Sequence, residues 1–187
     1  MFATWEALES QARGCTLCPL CETRTQVVFG AGDPAASLVF VGEGPGQHED
    51  EQGIPFVGRS GKLLTQLIEG IGLTREQVYI ANVVKCRPPG NRDPKPDEIA
   101  TCRPYLEAQL GFIQPKVVVT LGNFSTKLLL QTQTGITKLR GQEFEYRGAV
   151  LVPTLHPAAV LRGGGKQLAL VRADFVVIKR ALARAAA

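Results

Sequence analysis

The sequence predicts an α/β fold, in which helices cover both faces of a parallel or mostly parallel sheet. Segments typical of strands alternate with segments typical of helices along the 187 residues. Residues 38–41 and 116–121 are short and almost continuously apolar, as strands buried on both faces usually are. The length suits one domain with a sizeable core, so we expect a single domain over residues 1–187.

In the first half of the chain, capping residues predict where the helices begin. Thr4 is expected to cap the first helix, and Ser60 a later helix that Gly72 closes. Apolar residues recur in the later helix at spacings of three and four, which gives it one buried face. A capping-box pattern at residues 74–77 leads into a strand over residues 78–84.

The second half of the chain continues the alternation. Residues 87–97 contain four prolines and are therefore expected to form a loop. Asp97 is expected to begin a helix that bends at Pro104, and Asn123 to begin another. The remaining predicted elements are a hairpin of residues 143–146 with 150–155 and a last helix over residues 167–185.

Three loops are expected to form the ligand site, because ligands of parallel sheets bind beyond the carboxyl ends of the strands. They follow Val41, Val84 and Leu155. The first loop, residues 42–53, reads GEGPGQHEDEQG and combines glycines with four carboxylates. Because these charges would repel a phosphate, the loop better suits a neutral planar ligand, with one carboxylate kept for water or a developing cation. The alternative is an acidic surface turn.

Three further residues are candidates for contacts with such a ligand. Asn82 lies within an apolar strand, where an unpaired amide costs about 1–3 kcal/mol, so its partner must be backbone or a ligand such as the edge of a pyrimidine base. Phe56 lies in an otherwise polar loop and could stack on a flat ring or simply pack. His156 ends a strand at the ligand edge, where a catalytic and a structural role are both open.

Five cysteines indicate a metal centre, because C-x2-C in a cytosolic chain more often binds metal than forms disulfides. Zinc and an iron–sulfur cluster both take four thiolates, which Cys15, Cys18, Cys86 and Cys102 would supply. Cys21 extends the first pair to a ferredoxin-like run that lacks its next cysteine, and we expect it to be a buried small residue. Cys102 also lies on an apolar helix stripe, so a core thiol is the alternative there.

The charge is unevenly distributed along the chain. The net charge is +4, yet residues 1–60 carry eight acidic and three basic side chains. From Lys138 onward there are nine Lys or Arg and three acidic residues, which could attract a polyanion or form an ordinary solvated surface. No segment has the roughly 18 to 20 apolar residues of a spanning helix, so we expect a cytoplasmic protein without a membrane partner.

Together the motifs resemble those of the iron–sulfur uracil-DNA glycosylases, family four of that superfamily. The matching segments are GEGPGQHED, PFVG, YIANVVKCRPP, TLGN, THPAAVLR and four cysteines, in collinear order from Cys15 to about Arg162. The resemblance implies a three-layer α/β/α sandwich around a parallel four-stranded sheet. It also implies a structural [4Fe-4S] cluster, bound by Cys15, Cys18, Cys86 and Cys102 but not by Cys21.

The resemblance further implies an activity: the enzyme flips deoxyuridine out of DNA and hydrolyses its N-glycosidic bond, which initiates base excision repair. The implied substrate-binding residues are Gly42, Glu43, Gly44, Phe56, Asn82 and His156. Of these, His156 would be catalytic through the uracil oxygen beside the broken bond. We choose Glu43 as the catalytic carboxylate, with Glu49 and Asp50 as alternatives, because Gly44 replaces the aspartate general base of the best-known branch.

The implied partner is uracil-containing DNA, single- or double-stranded, bound by a monomer. Leu161 and Arg162 are expected to contact DNA at the gap left by the flipped base. Two alternatives remain within the superfamily, a cousin of broader specificity and one that is trapped covalently through a histidine, which residues 87–96 lack. A third alternative is a noncatalytic metal-containing DNA-binding module.

Overall fold

A computed structural model describes residues 2–185. Its strands are β1 Ala31–Gly32, β2 Leu38–Gly42, β3 Tyr79–Asn82, β4 Val117–Leu121, β5 Phe144–Tyr146 and β6 Ala149–Thr154. They form one six-stranded sheet in the order β1-β3-β2-β4-β6-β5. The four central strands run parallel, and β1 and β5 pair antiparallel at the two edges. The predicted parallel four-stranded sheet is therefore present, and two short strands extend it.

Helices cover both faces of this sheet. They are α1 Trp5–Arg13, α2 Leu20–Thr23, α3 Gln47–Gln52, α4 Arg59–Gly70, α5 Pro96–Ile113, α6 Asn123–Leu130, α7 Ile136–Leu139 and α8 Pro157–Ala185. Alternate residues of β2 point to opposite faces. Val39 and Val41 pack in the core formed with α1 and α5, whereas Leu38 and Phe40 pack in the core formed with α4 and α8. The three-layer α/β/α sandwich is confirmed.

Several helices begin at residues other than the predicted ones. The N-cap of α4 is Gly58 rather than Ser60, and that of α6 is Gly122 rather than Asn123. The side chain of Asn123 instead accepts a hydrogen bond from the backbone N–H of Ile136 at 2.9 Å, which holds the start of α7. The N-cap of α5 is Lys95, because Pro96 suits the first helical position, where no N–H is needed.

The largest differences from the predicted elements lie at the carboxyl edge of the sheet. The loop after β2 contains the unpredicted helix α3, and α8 begins at Pro157, ten residues before the predicted start. Gly164, with a φ of 68°, interrupts α8, so the unpredicted helical stretch lies before this kink and the predicted helix over residues 167–185 lies after it. Within residues 2–185, no helix is long and apolar enough to cross a bilayer.

Candidate active site

A cavity of about 550 Å³ opens at the carboxyl edge of the parallel strands. Its wall includes Glu43 after β2, Pro88 after β3, Gly122 after β4 and His156 after β6. All four parallel strands thus deliver their following loops to one place, as the topology of such sheets dictates. Five of the six predicted substrate-binding residues line this cavity: Glu43, Gly44, Phe56, Asn82 and His156.

Gly42, the sixth, lies directly behind the cavity wall. A Cβ on Gly42 would stand 2.4 Å from Oδ1 of Asn82 and 2.6 Å from the Phe56 ring. Only glycine allows these two side chains to meet here, so the Phe56 ring stands beside Asn82. The Phe56 ring centroid also lies 5.6 Å from that of His156, with the two planes 33° apart.

Phe56 itself has an uncommon backbone conformation. Its φ is 53°, in the left-handed region that bulky side chains rarely adopt. Holding such a residue there costs on the order of 1–3 kcal/mol, and the surrounding structure must supply this energy. The ring is nonetheless only 6% exposed.

Asn82 brings a buried hydrogen-bond acceptor without a partner to the cavity. The residue is 2% exposed, and its Oδ1 accepts no hydrogen bond from any of residues 2–185. Such an unmade bond costs about 1–3 kcal/mol. Its backbone is held firmly, because the carbonyl accepts a hydrogen bond from the buried ammonium of Lys85 at 2.8 Å. Asn82 thus brings an unpaired side-chain acceptor to the cavity from a strand end whose backbone carbonyl is hydrogen-bonded.

His156 is a neutral hydrogen-bond donor. Its Nδ1 accepts the backbone N–H of Ala158 at 3.1 Å, which assigns the ring proton to Nε2. Burial and, to a smaller extent, the positive charge of Arg162 lower the pKa of His156 to about 4, and the negative charge of Glu49 opposes them in part. At neutral pH the imidazole is therefore uncharged and has one N–H to donate.

The three candidate carboxylates have different surroundings. Glu43 lines the cavity, and burial, followed by the negative charge of Asp93, raises its pKa to about 7. Glu49 also lines the cavity but accepts three backbone N–H groups, those of Gly46, Val57 and Gly58, at 3.1, 3.0 and 3.2 Å. Its oxygens therefore hold the loop together.

The surroundings of Asp50 indicate a structural role. It is 2% exposed, does not line the cavity, and accepts the backbone N–H groups of Thr25 and Gln26. It thereby joins α3 to the segment before β1. The pKa of Glu43, about 7, is close to neutral pH, where a general base is most effective.

Sequence reasoning missed two charged residues near the site. Asp93, in the proline-rich loop after β3, lines the cavity and acts on Glu43. Its position in a loop at the carboxyl edge of the sheet is the sequence feature that could have identified it. Lys85 is 2% exposed and donates to Asn82 and to Gln109 Oε1 at 2.5 Å. For Lys85, the feature that could have identified it is a lysine at the end of an apolar strand, where a charged side chain needs a partner.

A second, smaller cavity is lined by all five cysteines. Cys86 and Cys102 are buried, whereas Cys15, Cys18 and Cys21 are partly exposed, so the expectation that Cys21 is buried was wrong. Two N–H groups point at sulfur: Arg24 Nη1 at 3.3 Å from Cys86 and the Lys85 amide at 3.3 Å from Cys102. Such bonds are typical around metal-bound thiolates.

Across residues 2–185, no three His, Cys, Asp or Glu side chains converge on a single-ion position. A [4Fe-4S] cluster does not require such convergence, since each thiolate binds a different iron. Four thiolates lining one cavity are the donor set of a [4Fe-4S] cluster and also of a structural zinc ion.

The predicted DNA-contacting residues lie in the first turns of α8. Leu161 is 41% exposed. Arg162 lines the rim of the main cavity near His156. Leu161 precedes Arg162 on the same helix but does not itself line the cavity.

The fold and the main cavity together define an α/β protein with a ligand-sized cavity at the carboxyl edge of its sheet. Residues 29–180 match the model of the Uracil DNA glycosylase superfamily. The type-4 uracil-DNA glycosylase of Sulfurisphaera tokodaii is 48% identical over 165 residues, which cover 83% of this chain and 75% of that protein. The type-4 enzyme of Thermotoga maritima is 46% identical, over 87% of this chain and 86% of that protein.

Type-5 relatives are more distant. The type-5 uracil-DNA glycosylase of Thermus thermophilus is 31% identical, over 67% of this chain and 71% of that protein. The chain therefore belongs to the type-4 uracil-DNA glycosylases of the Uracil DNA glycosylase superfamily.

Proposed function

We propose that this chain is a uracil-DNA glycosylase, a hydrolase that releases uracil from DNA and leaves an abasic site. The single observation that carries the proposal is the buried Oδ1 of Asn82, which accepts no hydrogen bond from residues 2–185. Uracil offers a donor at N3 and an acceptor at O4, which together complement a carboxamide. A hydrogen bond from the correct base to this oxygen removes the cost of an unpaired buried acceptor, about 1–3 kcal/mol.

The same amide discriminates against cytosine. Cytosine has an acceptor at N3 and a donor at N4, so both of its groups would meet like groups on Asn82. Buried groups would then remain unpaired, and this rejects a substrate far more strongly than a size difference does. Phe56 is proposed to stack on the face of the flipped base, with Gly42 behind it leaving room for the Asn82 and Phe56 side chains, and with Gly44 in the cavity wall.

Bond cleavage is proposed to rest on His156 and Glu43. When the bond between N1 and C1′ breaks, the electron pair leaves with uracil and the sugar becomes cationic. The Nε2–H of neutral His156 donates to the uracil oxygen on which negative charge develops. The ionised Glu43 stabilises the sugar cation or orients the water that attacks it.

We propose that Cys15, Cys18, Cys86 and Cys102 hold a [4Fe-4S] cluster. When bound, the cluster would supply a structural cross-link and no step of the reaction. The four residues come from the segment between α1 and α2, from the segment after β3, and from α5, so the cross-link would join three parts of the fold.

We further propose that the chain acts as a monomer on cytoplasmic DNA. Leu161 would fill the space of the flipped nucleotide, and Arg162 and the basic residues of α8 would contact phosphates.

The test is incubation with an oligonucleotide that contains one deoxyuridine, followed by measurement of free uracil and of alkali-labile sites. We expect equal amounts of both products, and none from the matching oligonucleotide with deoxycytidine or thymidine. Absence of uracil release from both single-stranded and duplex substrates would contradict the proposal. Adducts that survive denaturation would indicate the covalently trapped alternative instead.

A further inference from the structure

We infer that Arg75 is a positioning residue for the base-stacking ring, because it holds the backbone of Phe56 in its left-handed conformation. The inference rests on the proposed function, in which Phe56 stacks on uracil. Arg75 lies in a short 3-10 turn, Arg75–Gln77, between α4 and β3, and does not line the main cavity. It would therefore act through Phe56 and not on the substrate.

The guanidinium of Arg75 binds two consecutive carbonyl groups. Nη1 donates to the carbonyl of Phe56 at 2.8 Å and to the hydroxyl of Thr65 at 3.4 Å, and Nη2 donates to the carbonyl of Pro55. A planar fork with fixed N–H directions can bind two neighbouring carbonyls at once. This contact fixes the orientation of both peptide planes next to Phe56.

Gly61 shows how tightly the same carbonyl is enclosed. Gly61 is buried in the first turns of α4, and a Cβ there would stand 1.8 Å from the carbonyl oxygen of Phe56. The carbonyl of Phe56 is thus pressed against the helix, where water has little access. Arg75 supplies the hydrogen bonds that this position needs.

The conformation of Phe56 depends on these bonds. With a φ of 53°, the residue lies outside the favoured backbone regions, and nothing in its own chemistry keeps it there. If the carbonyls of residues 55 and 56 lose their donor, the backbone is expected to relax toward negative φ. The ring would then leave its place beside Gly42 and His156, and the flipped base would lose its stacking partner.

A double-mutant cycle tests this inference. Single-turnover uracil excision and inhibition by free uracil are measured for the wild type, Arg75→Gln, Phe56→Ala and the double variant. We expect Arg75→Gln to slow excision about tenfold or more and to weaken free uracil binding, since one aromatic–base stack has an effect of this order. In the Phe56→Ala background the same change should have an effect of less than about threefold.

Two further variants separate positioning from general destabilisation. Leu67→Ala removes a core side chain of α4, the helix against which the Phe56 carbonyl packs, so it should lower the unfolding midpoint yet leave excision unchanged well below that midpoint. Arg75→Lys keeps the charge but loses the planar fork of donors, so we expect an excision rate between those of the wild type and Arg75→Gln. If Arg75→Gln does not fold, Arg75→Lys replaces it in the double-mutant cycle. Equal effects of the Arg75 change with and without Phe56 would overturn the inference. Failure of the wild type to release uracil would instead contradict the proposed function.

Discussion

At the scale of single residues, the main cavity contains two groups whose pKa values differ strongly from their ordinary values. His156 is neutral because burial lowers its pKa to about 4, and Glu43 titrates near neutrality because burial raises its pKa to about 7. In the proposed reaction, His156 would be the neutral donor for the anion that develops on uracil. Glu43 is a carboxylate whose ionised fraction changes within the physiological range.

The pKa of Glu43 predicts a pH dependence of excision. As the pH rises through about 7, Glu43 loses its proton, so kcat/KM on uracil-containing DNA should rise and then level off. His156 gains a proton only near pH 4, so it should add no second limb above pH 5. Glu43→Gln should lower the rate and abolish the rising limb. An unchanged rate and profile in Glu43→Gln would contradict the assignment of Glu43.

Asp93 provides a second test of the same carboxylate. Its negative charge raises the pKa of Glu43, so Asp93→Asn should move the rising limb to lower pH. The pKa of Glu43 is higher in the folded protein than in the unfolded chain, so folding favours the protonated form of this residue. The stability contribution of Glu43 is therefore largest below pH 4.5 and declines as the pH rises through about 7.

The residues that were foreseeable from the sequence are those that break a local pattern. Asn82 interrupts an apolar strand, and His156 follows one, so each stood out without knowledge of the fold. Asp93 lies in a polar, proline-rich segment where an acidic residue is ordinary. Its effect on Glu43, 50 positions away in the chain, depends on how two loops meet after folding.

At the scale of elements, one buried ion pair holds α8 against the sheet. Asp174 of α8 is 1% exposed and accepts hydrogen bonds from Arg140 at 2.5 and 3.1 Å and from the hydroxyl of Thr154 at 2.6 Å. Thr154 is the last residue of β6, two positions before His156. The pair therefore fixes the end of the strand that delivers the catalytic candidate.

Removal of one partner of this pair should be strongly destabilising. Asp174→Ala leaves the guanidinium of Arg140 without its partner, and we expect a loss of about 3–5 kcal/mol in the free energy of unfolding. Urea unfolding measures the difference. Glu143→Ala, which breaks a surface pair with Arg184, is the matched control and should cost about 1 kcal/mol or less. Equal losses in the two variants would contradict the account.

Helix boundaries were the least predictable feature of the elements, and the reasons are local. Ser60 and Asn123 are good N-cap residues, but glycines one or two positions earlier occupy the cap conformations. Asn123 holds a contact to α7 that no sequence spacing reveals. Short, almost continuously apolar runs, by contrast, predicted β2 and β4 to within a residue, because burial on both faces leaves few alternatives.

At the scale of the whole molecule, the cysteine cavity joins segments that are distant in the chain. Cys15 and Cys18 belong to the N-terminal segment, Cys86 follows β3, and Cys102 lies on α5. The proposed cluster would therefore link the N-terminal segment to one layer of the sandwich. The free energy of binding the cluster would contribute to folding.

This proposed cross-link predicts different behaviour for the five cysteines. Serine replacement of Cys15, Cys18, Cys86 or Cys102 should lower the iron and sulfide content, remove the brown colour and lower the unfolding midpoint. Cys21→Ser should keep the cluster. A colourless wild-type protein that contains zinc would contradict the cluster, and loss of iron in Cys21→Ser would contradict the choice of ligands.

The charge distribution predicts a strong salt dependence of DNA binding. Contacts of Lys and Arg with phosphates release counterions, so log K should fall steeply and linearly with log salt concentration. Arg162→Gln should weaken binding and reduce the slope by about 1 if Arg162 contacts one phosphate. Fluorescence anisotropy at several salt concentrations measures this slope. A flat salt dependence would contradict a phosphate-binding surface.

The central claim is that Asn82 reads uracil in the main cavity. The most direct measurement is the single-turnover rate of uracil excision by Asn82→Ala and by the wild type, with binding to undamaged DNA as the control. We predict a rate at least about tenfold lower in the variant, because its hydrogen bonds to the base are lost, with unchanged binding to undamaged DNA. Equal excision rates in the two proteins would contradict the account.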